Sequence, residues 1–156
     1  MSTILDAGAA APDFDLPTDG GANASLGAHK GKKIVLYFYP KDDTSGCTAE
    51  AIAFNGLREK FKAAGAVLIG VSPDSAASHA KFKKKHDLKF PLASDEAKTM
   101  LEAYGVWQEK SMYGRKYMGV ERTTFLIGAD GKIARVWRKV KVPGHAEEVL
   151  AAAKAI

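Results

Sequence analysis

The fold of this protein is decided by the stretch Lys33-Ile34-Val35-Leu36-Tyr37-Phe38-Tyr39-Pro40-Lys41-Asp42-Asp43-Thr44-Ser45-Gly46-Cys47-Thr48-Ala49-Glu50. It opens with an apolar, β-branched and aromatic run, Ile34 to Tyr39, which has the length of a strand buried on both faces. Pro40 has no N–H to donate to a neighbouring strand, so the strand should end there. A polar turn follows, and residues 47–54 are typical of the first turns of a helix. The stretch therefore predicts a strand that leads directly into a helix N-terminus.

The protein has a single cysteine, Cys47, which lies where the predicted strand gives way to the predicted helix. Thr44 and Ser45 are both candidate N-caps, because a side-chain oxygen there can accept a hydrogen bond from a free amide of the first turn. The helix dipole and these amides favour a thiolate over a thiol. A hundredfold preference takes about 2.7 kcal/mol, whereas a helix end supplies about 0.3–1 kcal/mol. A reactive cysteine would need a cation from elsewhere; a free cysteine is also common as a small buried apolar residue.

Length and composition are those of a globular domain. The 156 residues suit one domain, residues 1–156, with a core of its own. No apolar run approaches the about 20 residues that a membrane-spanning helix needs, and residues 1–6 lack the basic and apolar regions of a secretory signal. One cysteine excludes an intrachain disulfide, and a CxxC pair for redox chemistry or zinc. We therefore expect a cytoplasmic protein.

The net charge of +5 comes largely from residues 81–85 and 135–141, which are rich in lysine and arginine. Such stretches can bind nucleic acid, but no recognised nucleic-acid-binding module is present. We expect solvated faces, with no nucleic-acid or membrane partner. His79 and His86 lie about two turns apart on a basic helix, and their spacing does not predict a metal site. The sequence also lacks a phosphate loop, a catalytic-triad signature and a nicotinamide-binding motif.

After the central strand, the chain predicts a βαβ unit. Residues 66–72 form a second apolar run, and Gly65 before it is a suitable end for the intervening helix. Strand, helix and strand in this order predict two parallel strands with a right-handed crossover. A second helix is predicted over about residues 76–87, and a third over residues 95–104, with Ser94 as its candidate N-cap.

The rest of the chain completes one sheet. Residues 122–127 and 132–137 predict an antiparallel pair of strands around a tight turn, and residues 146–154 have the apolar stripe of a helix. Near the N-terminus, residues 11–21 predict a short hairpin that covers one sheet edge. A βαβ half followed by a ββα half is the thioredoxin-like plan. We therefore expect an α/β protein of thioredoxin-like fold, with a central mixed β-sheet flanked by helices and an N-terminal β-hairpin extension.

Pro40, Thr44 and Cys47 follow the order Pro-x-x-x-Thr-x-x-Cys, and in this the chain resembles the peroxiredoxins. More closely, it is similar to the bacterioferritin comigratory protein, or PrxQ, subfamily from about Ala11 to the C-terminus. The residues that carry this similarity are Tyr37-Phe38-Tyr39-Pro40-Lys41-Asp42, Gly46-Cys47-Thr48, Tyr104-Gly105-Val106-Trp107, Met112-Tyr113-Gly114 and Arg122-Thr123-Thr124-Phe125-Leu126-Ile127.

The resemblance implies roles for four residues. Cys47 matches the peroxidatic cysteine, which attacks a peroxide as thiolate and becomes a sulfenic acid. Thr44 matches the hydroxyl that bonds the thiolate or the peroxide oxygen, and Pro40 the proline that shields the pocket. Arg122 matches the arginine that supplies the missing cation. From the residues alone, the favoured interpretation of Arg122 is an exposed charge at a strand end. Pro40 is a strand terminator, which is compatible with a shielding role, and Glu50 either orients Arg122 or faces solvent.

The chain departs from the subfamily pattern at two points. The subfamily usually has proline where this chain has Ser45, which should leave the turn looser. Members often carry a second cysteine five residues after the first or in the next long helix; here Ile52 occupies the former position, and residues 81–85 contain no sulfur. The resemblance therefore implies a one-cysteine cycle, in which an external thiol such as thioredoxin, glutaredoxin or glutathione reduces the sulfenic acid.

The activity implied by the resemblance is a thiol-dependent peroxidase for hydrogen peroxide and organic hydroperoxides, serving antioxidant defence and redox homeostasis. It implies no metal, haem or flavin cofactor, and a monomer. Trp107, Met112, Tyr113 and Tyr117 are expected to form an apolar wall near the pocket or to belong to the core. Two alternatives stay open: a thioredoxin-like disulfide reductase, disfavoured by the lack of a second nearby cysteine, and a redox-sensing module oxidised without turnover.

Overall fold

The stretch from Lys33 to Glu50 folds as a central strand followed by a helix. The computed structural model describes residues 5–156, so most of the N-terminal segment on which the signal-peptide expectation rests lies outside the described residues. The strands are β1 (Asp15–Leu16), β2 (Ala24–Ser25), β3 (Lys33–Phe38), β4 (Ala66–Ser72), β5 (Leu92–Ser94), β6 (Trp107–Met112), β7 (Arg115–Val120), β8 (Thr123–Ile127) and β9 (Ile133–Trp137). The α-helices are α1 (Ser45–Gly56), α2 (Arg58–Ala63), α3 (Ala76–Lys85), α4 (Thr99–Ala103) and α5 (His145–Lys154), and a short 3₁₀ turn spans Gly27–His29.

The main sheet has five strands in the order β5-β4-β3-β8-β9. Strand β3 pairs parallel to β4, and β4 parallel to β5, while β8 runs antiparallel to both β3 and β9. The βαβ unit and the antiparallel pair predicted from the sequence are thus confirmed. The mixed sheet flanked by helices confirms the predicted thioredoxin-like fold.

Alternate residues of β3 supply the two halves of the core, as expected for a strand buried on both faces. Val35 and Tyr37 pack with apolar residues of α1, α2, α3 and α5 on one face of the sheet. Leu36 and Phe38 pack on the other face with residues of α4 and the N-terminal segment, including Phe14. Both faces of β3 are therefore covered. The chain leaves the sheet at the end of β3 and passes through a loop into the N-terminus of α1.

The N-terminal segment lies along both edges of the main sheet. Strands β1 and β2 form the predicted hairpin, and the Ser94 N–H beside it donates to the Pro17 carbonyl at 2.8 Å, which caps the edge formed by β5. At the opposite edge, the Ile133 N–H donates to the Ala9 carbonyl at 2.8 Å, and the Ala11 N–H to the Gly131 carbonyl at 3.0 Å. One segment therefore occupies part of each outer strand edge, the end of β5 and the start of β9, which limits pairing with other chains there.

Two helix predictions need correction. The helix after Cys47 does not run unbroken to Gly65, because Gly56 ends α1 and Leu57 separates it from α2. The helix expected over residues 95–104 begins only at Thr99, since Lys98 adopts a left-handed conformation with φ of 62°.

The candidate cap of that helix was also wrong. Ser94 is the last residue of β5 and not an N-cap. The buried carboxylate of Asp95 accepts a hydrogen bond from the Leu101 N–H at 2.8 Å, so it satisfies a donor of the helix from outside its first turn.

Strands β6 and β7 form a separate two-stranded hairpin that the sequence analysis did not predict. Its turn is Tyr113-Gly114, both with positive φ (52° and 76°), which is the geometry of a tight hairpin turn. The alternative that these residues belong to the core is wrong for Met112, Tyr113 and Tyr117, which are 56%, 97% and 43% exposed. Trp107 is half-buried and packs against the core. None of the described helices is both long enough and apolar enough to cross a membrane.

Candidate active site

The register of the main sheet places Arg122 beside the start of α1. Phe38, the last residue of β3, pairs with Thr123, the first residue of β8. Because the strands run in opposite directions, the residue before Thr123 lies next to the chain that leaves β3 toward the helix. A residue 75 positions from Cys47 in sequence is thereby brought to the N-terminus of α1.

The sulfur of Cys47 lies in the first turn of α1, and the Nη2 atom of Arg122 donates a hydrogen bond to it at 3.2 Å. Cys47 is buried, with 1% of its surface exposed, while the Arg122 side chain is 17% exposed. Gly46 lets the guanidinium approach this closely, since a Cβ atom at that position would lie 3.2 Å from Nη2. The cation that the helix end by itself does not supply is therefore present at the sulfur.

Glu50 holds the other side of the guanidinium group. It is buried one turn after Cys47, and its Oε1 atom accepts a hydrogen bond from Nη1 of Arg122 at 2.6 Å. Burial raises the pKa of Glu50 to about 7, against the opposing effect of the Arg122 charge. Burial lowers the pKa of Arg122, but the negative charges of Glu50 and Cys47 outweigh it and raise that pKa overall. Of the two roles left open for Glu50, the orienting one agrees with this contact.

Two buried polar atoms near this centre have no hydrogen-bond partner among residues 5–156: the hydroxyl of Tyr37 and the Oε2 atom of Glu50. Tyr37 stacks on Phe54 of α1, with ring centroids 4.8 Å apart. Burial raises the pKa of Tyr37 well above its ordinary value, and the charges of Glu50 and Cys47 add to this. Burial next to the site therefore disfavours additional negative charge on Tyr37.

Thr44 and Pro40 lie on the loop between β3 and α1. Thr44 occupies the N-cap position with extended backbone (φ −86°, ψ 156°), but its side chain does not cap the helix. Its hydroxyl instead donates to the Lys41 carbonyl at 2.9 Å and is exposed. Pro40 is half-buried and directly follows the buried Tyr39. The roles that the resemblance gives to Thr44 and Pro40 stay predictions.

A buried polar network that the sequence analysis missed holds the same loop. Asp42 accepts hydrogen bonds from Tyr39 Oη at 2.5 Å and from Ser78 Oγ at 2.8 Å, and its Oδ2 atom lies 2.7 Å from His79 Nδ1. The other ring nitrogen of His79 lies 3.0 Å from the Ala93 carbonyl. Since His79 is fully buried on α3, this network ties the loop before Cys47 to the helix beside it. The one sequence signal was a histidine on the inner side of an otherwise basic helix.

Asp42, Asp74 and His79 bring their ligand atoms within 4.8 Å of one another, which makes them the candidate metal ligands among residues 5–156. Their atoms already serve as hydrogen-bond partners. Asp74 Oδ2 accepts from the Asp42 N–H at 2.7 Å and from Ser72 Oγ at 2.9 Å. A cation there would have to displace these contacts, so the donor set fits a structural network better than a metal centre.

His145 is the second residue whose place the sequence did not reveal. It opens α5, is buried, and its Nε2 atom lies 2.8 Å from the Thr124 hydroxyl on β8. Burial lowers the pKa of His145, with the Glu148 charge opposing and the Arg122 charge adding to the effect. The ring packs edge-on against Phe54 of α1, so it fixes α1 and β8 relative to each other.

A sulfur at a helix N-terminus and in contact with a guanidinium is suited to react as an anionic nucleophile. The fixed donors of Arg122 can also stabilise negative charge that develops on a departing oxygen.

Comparison with known proteins agrees with this chemistry. Residues 7–136 match the model of the AhpC/TSA family. The chain is 51% identical to a protein of Coxiella burnetii named as a putative peroxiredoxin bcp, over 94% of this chain and 97% of that protein. It is 50% identical to peroxiredoxin Bcp of Bacillus subtilis, over 94% and 93% of the two chains.

A solved structure shares the fold at high similarity. It is that of the bacterioferritin comigratory protein of Xanthomonas campestris, a protein with alkyl peroxide reduction activity. The two structures superpose with a TM-score of 0.90 at 47% identity, covering 96% of this chain and 98% of that one. The chain therefore belongs to the AhpC/TSA family and, within it, to the Bcp peroxiredoxins, also called peroxiredoxin Q.

Proposed function

We propose that this protein is a thiol-dependent peroxidase that reduces hydrogen peroxide and organic hydroperoxides through Cys47. The observation that carries the proposal is the 3.2 Å contact between Arg122 Nη2 and the Cys47 sulfur at the start of α1. The alkyl peroxide reduction activity of the Xanthomonas campestris relative supports organic hydroperoxides as substrates. In a cell, such an activity serves antioxidant defence and redox homeostasis.

In the first step, the Cys47 thiolate attacks the terminal oxygen of the peroxide and the O–O bond breaks. The sulfur gains a hydroxyl group and becomes a sulfenic acid, while the other oxygen leaves as hydroxide or alkoxide and takes up a proton. Arg122 stabilises the thiolate before the attack and the charge on the departing oxygen during it. Glu50, 2.6 Å from Nη1, keeps the guanidinium in the orientation that serves both purposes.

Thr44 and Pro40 complete the proposed site. The exposed Thr44 hydroxyl, now bonded to the Lys41 carbonyl, would turn toward the incoming peroxide and bond one of its oxygens. Pro40 limits water around the sulfur, and its lack of an N–H also ends β3. Since Cys47 is 1% exposed, side chains around the sulfur must move before a peroxide reaches it.

The second step needs a thiol from another molecule, because the sequence contains one cysteine. The sulfenic acid and a thiol condense to a mixed disulfide and release water; a second thiol then displaces Cys47 and leaves with the first as a disulfide. The reductant that we propose is thioredoxin, glutaredoxin or glutathione. No metal, haem or flavin enters either step.

The setting that we propose is the cytoplasm, because each turnover consumes reduced thiols, and the thiol pool there is kept reduced. We further propose that residues 1–156 act as a single-domain monomer. The hydrogen bonds of the N-terminal segment at both edges of the main sheet support this, since they occupy part of each edge that could otherwise pair with a second copy.

The test is peroxide consumption with excess dithiothreitol, measured for the wild type and for Cys47→Ser. We expect many turnovers with the wild type and none with the variant. Consumption of a single equivalent would instead favour the redox-sensing module. Reduction of protein disulfides without peroxide turnover would favour the disulfide reductase.

A further inference from the structure

A cleft with a volume of about 400 Å³ lies between the β6–β7 hairpin and the start of β8. It shares one residue with the active centre, Arg122. Its polar lining consists of Gln108, Glu109, Lys110, Glu121, Arg122 and Lys139. The cleft therefore contains three cationic and two anionic side chains, and one of the cations is the Arg122 that contacts the Cys47 sulfur.

Lys110 is the most constrained of the cleft cations. It is half-buried on β6, opposite Tyr117 of β7. Its stem runs across Gly119, where a Cβ atom would lie 3.4 Å from both Lys110 Cδ and Tyr117 Cε2. The glycine thus leaves the room in which the lysine stem lies.

The ammonium groups of the cleft are available to a ligand. Among residues 5–156, the ion pairs include neither Lys110 nor Lys139. Glu121, the residue before Arg122, is half-buried and also outside these pairs. Glu109 is engaged only at 3.8 Å, by the exposed Lys116.

Lys110 also lies within electrostatic reach of the reaction centre. Burial lowers its pKa, the Arg122 charge adds to this, and the charges of Glu121 and Cys47 oppose it. Lys110 and Arg122 line the same cleft, so a molecule bound to Lys110 lies beside the residue that contacts the sulfur.

We propose that this cleft binds the reductant, and that the reductant is a small thiol carrying carboxylates. The inference rests on the proposed peroxidase cycle and names the thiol that completes it. Lys110 and Lys139 bind the carboxylates, while Glu121 binds an ammonium group where the thiol has one, as a γ-glutamyl peptide thiol does. Hydrogen peroxide carries no charge with which these side chains could form an ion pair.

The shape of the site favours a small molecule over a protein reductant. A volume of about 400 Å³ lies within the range of about 300–1,000 Å³ that is typical of small-molecule sites. The Cys47 sulfur is buried, and Arg122, which lines the cleft, is the residue that contacts it. The thiol condenses with the sulfenic acid to a mixed disulfide and water, and a second thiol then releases Cys47 and forms the symmetrical disulfide.

The experiment measures the reduction step by itself. The protein is oxidised with one equivalent of hydrogen peroxide, and the rate constant for reduction is then measured with thioglycolate, 2-mercaptoethanol, cysteamine and glutathione, which differ in charge. The variants are Lys110→Gln and Lys139→Gln. Lys141→Gln is the matched control, because Lys141 is exposed two residues from Lys139 and does not line the cleft.

We expect thioglycolate and glutathione to react faster than cysteamine after correction for thiolate content. Each cleft variant should slow the two anionic thiols by roughly tenfold, the effect of losing one charge-assisted hydrogen bond, and leave 2-mercaptoethanol unchanged. Lys141→Gln should resemble the wild type. The inference would be overturned if the variants slowed all thiols equally, or if the rate constants did not depend on the charge of the thiol. It would also be overturned if thioredoxin or glutaredoxin reduced the oxidised protein and the small thiols did not.

The peroxide step distinguishes this failure from that of the proposed function. If Cys47 forms a sulfenic acid rapidly but the thiols show no charge preference, the inference fails and the peroxidase assignment stands. If Cys47 does not react with peroxide, the proposed function itself fails.

Discussion

Arg122 is fixed on two sides, by the sulfur of Cys47 through Nη2 and by the carboxylate of Glu50 through Nη1. A planar group with several donors can make both contacts at once, whereas the single ammonium of a lysine cannot. The arginine thus depends on a glutamate that is itself buried at an electrostatic cost. At the scale of single residues, the contact that positions Arg122 for reaction is therefore made at a cost in stability, because it requires a buried glutamate.

We predict that Arg122→Met lowers kcat/KM for hydrogen peroxide by about 100- to 1,000-fold, the usual effect of removing one preorganised donor from a charged transition state. Arg122→Lys keeps the charge and should lose less. Steady-state peroxide consumption measures both variants, with Arg115→Met at the exposed tip of the β6–β7 hairpin as control. A value for Arg122→Met near that of the control would contradict the assigned role.

The pKa of Glu50 leads to a prediction about stability. Burial raises this pKa from its ordinary value of 4.5 to about 7, so the folded protein keeps the proton at pH values where the unfolded chain has lost it. The contribution of Glu50 to the free energy of unfolding is therefore fully present below pH 4.5 and is lost as the pH rises through about 7. The loss amounts to about 3 kcal/mol.

The measurement is urea unfolding across this pH range for the wild type and for Glu50→Gln, which cannot titrate at this position. We expect the stability of the wild type relative to the variant to fall as the pH rises. Glu147→Gln, on the exposed side of α5, serves as control and should show no such trend. A constant difference between the wild type and Glu50→Gln would show that Glu50 ionises alike in the folded and unfolded protein.

At the scale of elements, the sequence predicted the strands whose residues are buried and missed the strands whose residues are mostly exposed. Strands β3, β4 and β8 are apolar runs, and they were predicted to within a residue or two. The β6–β7 hairpin has no fully buried face, so its sequence carries no clear apolar alternation. Its turn depends on positive φ at Tyr113, which no local pattern of this residue type indicates.

At Gly46 of helix α1, folding and catalysis favour different residues. Alanine is a better helix former than glycine by about 1 kcal/mol, so Gly46→Ala should leave the free energy of unfolding unchanged or raise it. The new Cβ would lie 3.2 Å from Arg122 Nη2 and push the guanidinium away from the sulfur. We predict that peroxidase activity falls by about tenfold or more, as expected when one charge-assisted contact is weakened.

Gly56→Ala is the matched control for this prediction. Gly56 ends the same helix, and a Cβ there meets no atom within 4 Å. Urea unfolding and kcat/KM are measured for both variants. Loss of stability together with activity in Gly46→Ala would mean that the glycine serves the fold and not the approach of Arg122.

At the scale of the whole molecule, the site is assembled from three distant parts of the chain. The resemblance named Cys47, Thr44, Pro40 and Arg122, but the buried network around His79 could not be foreseen. Its partners meet only after α3 packs beside the loop that follows β3, and single histidines and aspartates carry no signal of such a meeting. Sequence motifs identify residues that react, whereas the residues that position them are specified by tertiary packing.

The N-terminal segment gives the last prediction, which concerns self-association. Residues 8–11 occupy the free edge of β9 through hydrogen bonds to Gly131 and Ile133. A chain that starts at residue 12 exposes this edge, and exposed edges pair with other chains. We expect the full chain to sediment as a monomer of 16.7 kDa and the truncated chain to dimerise as its concentration rises. A chain that starts at residue 5 is the control, because it keeps the pairing of residues 8–11 with β9. If the shorter truncation associates equally, or the longer one stays monomeric, protection of the β9 edge is not what keeps the protein monomeric.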